Sequence, residues 1–377
     1  MVTKQTYRAR QLPFRFSVVL SMRVTSSIAI RRFLTRFPVW VMTMLSLACL
    51  GDEAGRAADE TAPPTAIQFT LDRPLDASAA PFVLASTRGL FRLEGLAVGT
   101  NIASGPSDAI ARVASGSSDL ALVDISTLIR FRDKADAPPI KAVFVLFNKA
   151  PYAIIARKSR GIHALSDIEG KTLGVAEGDF SIWFWPALAH QNGIKLASVK
   201  LAKFSPAVRE PMLSAGQVDA VNGFSYLAGV NLRDRGVPAD DLTVLRYADY
   251  GCEAYGFVLI VNPAFAVSKP EAVKAFLRAV IAGTRLAIKD PARAVDDVLT
   301  QMEGGTRDLE LARLRAVIGD NILTDEVKRS GIGAIDAARF ARSVDQLAED
   351  VKFRNKPAPA DIFDESFLPA SSSRLIN

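Results

Sequence analysis

The sequence predicts an α/β protein of two lobes joined by two crossing strands around a ligand cleft, and three observations predict it. At 377 residues the chain exceeds what one ordinary hydrophobic core organises, so two domains are expected. A short grammar occurs at Ala114 (ASGSSDLALVD) and again at Ser214 (SAGQVDAVNG): a helix end, a glycine, two linking residues, an aspartate and an apolar strand. Gly116 and Gly216 suit the left-handed position that closes a helix. Finally, extended and helical patterns alternate along the chain until a helical C-terminal part begins near Lys269.

The elements follow in order. After a Pro/Ala-rich connector (Ala62 to Ala66), Ile67 to Leu71 reads as a strand and Ala80 to Phe91 as a helix. Ala97 to Ile102 is a second strand. Ser104-Gly105-Pro106 then leads into a helix over Ser107 to Ala114, and Leu120 to Val123 is a third strand, apolar enough for burial on both faces. Ile140 to Phe147 and Tyr152 to Ala156 are extended runs that cross to a new αβ series. That series comprises Leu173 to Ala176, a helix ending near Asn192-Gly193, Val199 to Phe204, a helix over Val208 to Ser214, and Ala220 to Val221. Val244 to Tyr247 and Phe257 to Val261 bring the chain back. Pro270 suits the first turn of a helix whose Val273, Phe276, Leu277, Val280 and Ile281 follow helical spacing. The expected organisation is an export leader over 1–58, a discontinuous first lobe over 65–152 plus 251–377, and a second lobe over 153–250.

The net charge of +6 does not indicate a nucleic-acid binder. Residues 1–58 hold nine Lys and Arg against two Asp and Glu, and the remainder holds 37 against 38. No basic face is left for the folded part. The leader reads as an export signal: Arg31, Arg32 and Arg36, then an apolar stretch from Phe37 to Leu50, then Gly55 and Ala57 as small residues before a cleavage point. Fourteen apolar residues at about 1.5 Å each fall short of a hydrocarbon core of about 30 Å. The true start is open between Met1 and Met22, and the route between general secretion and the twin-arginine path. Lipidation at Cys49 and an uncleaved anchor are further readings; Ser46 stands where a lipidation box normally has an aliphatic residue. Loss of Cys49 with the signal leaves Cys252 alone, so no internal disulfide is expected, which suits the bacterial periplasm. With only His163 and His190 and no C-x-x-C, no metal site is expected.

Several segments resemble solute-binding proteins of the nitrate/sulfonate/taurine class of ABC importers. IHALSDIEGKTLGVAEGD (Ile162 to Asp179) and SAGQVDAVNGF are similar to segments of that family's second lobe. ADYGCEAYGFVLIVNPAF (Ala248 to Phe265) is similar to its return crossing. SKPEAVKAFLRAVIAGTRLAIKDPARAVD (Ser268 to Asp296) is similar to its long closing helix, and APFVLASTRGLFRLEGLAV (Ala80 to Val98) to its first helix and strand. The resemblance runs from about Ile67 to about Asp296. It implies a type II periplasmic binding-protein fold that closes on a small solute. Related proteins bind the thiamine pyrimidine precursor, and one eukaryotic branch is an enzyme with a consumed histidine and a cysteine-rich iron motif; nothing here matches that motif.

The loop GDFSIWFWP from Gly178 offers Asp179 or Ser181 as a helix cap and Phe180, Trp183, Phe184 and Trp185 as aromatic contacts for a planar or alkyl solute; core packing is the other reading. Arg73, after the first strand, suits a bidentate clamp on a carboxylate or sulfonate, or a pair with Asp72 or Asp76. Asp124 ends the third strand and Asn222 its counterpart; Asp124 equally suits a helix cap. Tyr250, Cys252 and Tyr255 lie on the return crossing, where hinge packing competes with ligand contact. The expected ligand contacts are Arg73, Phe82, Ser104, Asp124, Asp179, Phe180, Trp183, Asn222 and Tyr255. No nucleophile elbow, acid/base pair or phosphate loop is evident. The expectation is therefore a monomeric, periplasmic solute-binding protein, without cofactor or metal and not an enzyme. It would deliver a sulfonate, carboxylate or heteroaromatic solute to an inner-membrane ABC permease and bind no nucleic acid. An exported pyrimidine-precursor enzyme and a periplasmic ligand sensor are the alternatives.

Overall fold

The computed structural model describes residues 63–376; the segment 1–58 read as an export leader, with Cys49, lies outside them. Ten strands form two five-stranded sheets. β1 (Thr65–Leu71), β2 (Leu96–Ile102), β3 (Leu120–Asp124), β4 (Lys141–Val145) and β10 (Phe257–Val261) make the first, ordered β2-β1-β3-β10-β4. β5 (Tyr152–Arg157), β6 (Thr172–Ala176), β7 (Lys200–Phe204), β8 (Ala220–Phe224) and β9 (Leu242–Arg246) make the second, ordered β7-β6-β8-β5-β9. The two have the same plan. Three adjacent strands run parallel, the next strand (β10 in one sheet, β5 in the other) runs opposite to them, and the edge strand beyond it (β4 or β9) is antiparallel to that strand and so runs with the first three. Each sheet therefore contains one strand reached through a crossing. β3 and β10 are buried along their whole length, as central strands covered on both faces must be.

The repeated grammar performs the same task twice. Gly116 and Gly216 take φ of 78° and 71°, closing their helices. The aspartate three residues on then pins a neighbouring strand. Asp119 N–H donates to Gln68 O (2.8 Å) while its carboxylate accepts from Gln68 N–H (2.7 Å). Asp219 repeats this with Thr172 at 3.0 and 2.7 Å. The ladder is thus continued one residue before β3 and β8 begin.

One expected element divides. The helix read over Ala80 to Phe91 ends at Thr87 and resumes over Leu90–Leu93, because Gly89 at φ 69° turns the chain. The turn carries Phe91 onto Phe276 of the long helix Pro270–Lys289, with stacked rings 4.9 Å apart. β8 extends to Phe224, beyond the Ala220-Val221 run that its apolar residues marked, because Asn222 and Gly223 also pair with β5.

The two crossings lie side by side, with Gly256 N–H donating to Phe147 O (2.9 Å) and Ala150 N–H to Ala254 O (3.0 Å). The C-terminal helices grip both. Arg339, buried, donates to Asn148 O (2.7 Å), Ala254 O (3.2 Å) and Glu253 O (3.0 Å), and to Glu326 at 2.9 Å. Asn148 Nδ2 also donates to Glu326, and Thr324 Oγ1 to Asn148 Oδ1. No helix among the described residues is long and apolar enough to cross a membrane.

Candidate functional site

Carboxyl ends of strands from the two sheets face one another, the position at which open α/β sheets take ligands. At the centre is a buried polar pair. Tyr152, opening β5, donates its hydroxyl to Asp124 Oδ2 at 2.6 Å across the two lobes. Asp124 ends β3 and caps the helix Ile125–Arg132, accepting from Ser126 N–H at 2.8 Å. Burial raises the Asp124 carboxyl to about 7, although both hydrogen bonds pull it down; burial and the neighbouring Asp124 carboxylate push the Tyr152 phenol well above its ordinary value.

On the second-lobe side a chain of hydrogen bonds runs from Tyr247 to Asp179. Tyr247 donates to Asn222 Oδ1, Asn222 Nδ2 donates to Ser181 Oγ (2.6 Å) and Asp179 Oδ2 (3.0 Å), and Ser181 donates to the other Asp179 oxygen. Asp179 also accepts from Ser181 N–H, capping a 3-10 turn over Phe180–Phe184. The network holds the carboxylate at the carboxyl end of β6 and fixes the Asn222 amide.

On the first-lobe side Arg73 follows β1. Its Nε and Nη2 donate to the two oxygens of Asp72 at 2.7 and 2.8 Å, while Nη1 donates to Tyr226 of the second lobe at 3.2 Å. The guanidinium lies 3.8 Å from the Phe257 ring centroid and 5.3 Å from that of Phe224. Burial opposes its charge, but Asp72 and the Tyr226 dipole more than offset this, and its pKa stays above the ordinary arginine value. Burial lifts the Tyr226 phenol to about 12. Aromatic rings fill the seam: Phe224 packs on Phe257 (5.7 Å), Phe180 (5.7 Å) and Tyr152 (6.3 Å). A second cation closes it further along, Arg130 of the first lobe lying 4.1 Å from the Trp183 ring of the second.

Arg73, Asp124, Asp179, Phe180, Trp183 and Asn222 all lie along this seam. Phe82, Ser104 and Tyr255 do not. Phe82 is buried in the first-lobe core against Phe69, ring centroids 4.8 Å apart. Ser104 is exposed and donates from N–H and Oγ to Asp108, an arrangement local to its helix start. Tyr255 belongs to the grip on the crossings, donating to Glu326 (3.1 Å), accepting from Asp336 N–H (2.7 Å) and lying under Arg339. In the aromatic loop Phe180, Phe184 and Trp185 are buried, leaving Trp183 half-buried, and the helix begins at Trp185 with Pro186 in its first turn. Phe224, Tyr226, Phe257, Tyr152 and Arg130 are seam residues that sequence reasoning missed. The position of Phe224, at the end of the repeated strand, was the one available signal.

Comparison with known proteins agrees with this geometry in fold. A family model described as NMT1/THI5 like matches residues 76–294. The chain is 29% identical over 228 residues to a 4-amino-5-hydroxymethyl-2-methylpyrimidine phosphate synthase of Schizosaccharomyces pombe, covering 58% of this chain and 64% of that protein, so just under two thirds of the relative is spanned. It is 25% identical to a synthase of the same name from Aspergillus parasiticus (79% and 83% covered) and 25% identical to the riboflavin-binding protein RibY of Chloroflexus aurantiacus (78% and 83%). Among solved structures it shares its fold with the alkanesulfonate-binding protein SsuA of Xanthomonas axonopodis bound to MOPS (TM-score 0.59, 16% identity, 80% and 99% covered). The periplasmic aliphatic sulphonate-binding protein SsuA of Escherichia coli is similar (TM-score 0.61, 16% identity, 75% and 86%). The fold is that of periplasmic binding proteins. The expectation that the chain is not an enzyme is corrected by these relatives, several of which are named synthases. Chemistry on a bound solute resides in the geometry of the site and requires no nucleophile elbow, acid/base pair or phosphate loop in the sequence.

Proposed function

We propose a function from one premise: the chain belongs to the NMT1/THI5-like family. It binds a planar heteroaromatic solute between two lobes, bounded near 65–151 plus 251–376 and 152–250 so that Tyr152 goes with its sheet, and the lobes close on that solute. The observation that carries this reading is the seam itself. The Arg73 guanidinium lies over Phe257 and is tied to Tyr226 of the second lobe, and the same seam carries the carboxyl groups of Asp124 and Asp179, each held by hydrogen bonds. Flat rings suit the walls, and amino or ring N–H groups suit the carboxylates. Arg73 suits a carboxylate, sulfonate or phosphate substituent. Relatives named for a pyrimidine phosphate and for riboflavin support a heteroaromatic ring over a bare anion.

The protein acts outside the inner membrane and hands the solute to an ABC permease, which the binding-protein fold and the basic, apolar leader support. Thermal unfolding of the mature chain with riboflavin, 4-amino-5-hydroxymethyl-2-methylpyrimidine, its phosphate, taurine and nitrate tests the reading. Stabilisation by at least one heteroaromatic, lost in Arg73→Ala, is expected; stabilisation by nitrate or taurine alone overturns it. A second reading, synthesis of the pyrimidine phosphate, is favoured by the relatives' names. Sustained formation of that product by the purified chain would replace the transport reading.

A further inference from the structure

Five buried side-chain atoms among the described residues have no hydrogen-bond partner: Thr127 Oγ1, Ser225 Oγ, Arg132 Nε, Arg313 Nε and Asn321 Oδ1. The last three belong to side chains that hydrogen-bond through another atom. Thr127 and Ser225 alone are left wholly without a partner. Thr127 is 9% exposed and Ser225 8%. A buried hydroxyl without a partner is costly and rare in folded proteins.

Their positions are related. Thr127 lies in the first turn of the helix that follows β3, and Ser225 opens the helix that follows β8, the equivalent strand of the other sheet. Each is flanked by residues that touch the opposite lobe. Ser126 Oγ is 3.2 Å from the Tyr152 hydroxyl, and Arg130, one turn beyond Thr127 on the same helix face, meets Trp183. Phe224 packs on Phe257, and Tyr226 accepts from Arg73. Two unpartnered hydroxyls thus stand at equivalent helix starts, each beside residues that meet across the seam.

We propose that Thr127 and Ser225 are solute-contacting, specificity-determining residues: each hydroxyl hydrogen-bonds one polar edge of the ring held between the lobes. A hydroxyl both donates and accepts, so the pair suits a neutral edge that mixes ring nitrogens with amino or carbonyl groups. The inference rests on the function proposed above and gives that site its neutral recognition groups, beside the charged ones.

The test is Thr127→Val and Ser225→Ala, singly and together, read by unfolding without ligand and by titration with riboflavin and 4-amino-5-hydroxymethyl-2-methylpyrimidine. Without ligand each variant should be as stable as the wild type or more so, since an unpaired buried hydroxyl is removed at nearly constant shape. Affinity for the probe that binds wild type should fall about tenfold for each and about a hundredfold for both. If wild type binds a probe and the double variant binds it equally, or if either variant is destabilised without ligand, the inference is overturned alone. If wild type binds neither probe, the heteroaromatic reading fails and takes the inference with it.

Discussion

Asp124 is a residue whose protonation is set by the fold around it. Its carboxyl is raised to about 7 chiefly by burial, so between about pH 4 and pH 7 the folded protein holds a proton that the unfolded chain has released. That contribution to stability is complete below about pH 4 and is lost as pH rises toward 7. In Asp124→Asn the loss is absent. Denaturant titrations at pH 4.5 and 6.5 should show the wild type losing stability relative to the variant by about 1.4 kcal/mol per pH unit; parallel profiles would show that the carboxyl is ionised throughout. The residue's place at the end of a strand was legible in the sequence. Its partner was not, because Tyr152 reaches it from a different sheet.

Among the elements, the aspartate turns and the C-terminal grip carry separate loads. Asp119→Ala and Asp219→Ala each remove a carboxylate that accepts a backbone N–H of the neighbouring strand. Each should cost about 1–2 kcal/mol, and because they serve different sheets the double variant should show the sum. Strong non-additivity in denaturant unfolding would contradict two independent lobe-level turns. Arg339→Met is expected to be more severe, about 3–5 kcal/mol, because Glu326 and the Asn148 amide lose a charged partner in a buried setting. The turns could be read from the sequence because glycine, aspartate and strand are contiguous. The grip could not, since Asn148, Glu253 and Arg339 are far apart in the chain and only the fold brings them together.

For the whole molecule, closure is held by first-lobe arginines on second-lobe aromatic residues: Arg73 on Phe224 and Tyr226, Arg130 on Trp183. If the lobes open, these contacts between the sheets are lost first, so removing them should shift the population toward open forms by their differential free energy. Small-angle scattering of Arg73→Ala/Arg130→Ala should give a larger radius of gyration than the wild type. An unchanged radius, with the variant folded, would show that the C-terminal grip on the crossings holds the lobes together without the arginines.

The sequence by itself determined the α/β class, the repeated turn, the order of strands through two crossings and the location of excess basic charge, because each depends on neighbouring residues, on periodicity or on composition. It also placed Arg73, Asp124, Asp179 and Asn222 at strand ends, where topology favours a ligand. Only the tertiary structure decided which aromatic side chains line the seam. Phe82 and Phe224 are alike as letters, yet one is packed against Phe69 inside a lobe and the other lies between lobes. Hydrophobicity and spacing specify that a side chain is buried; which surface buries it depends on long-range packing between sheets, and that is where this site is made.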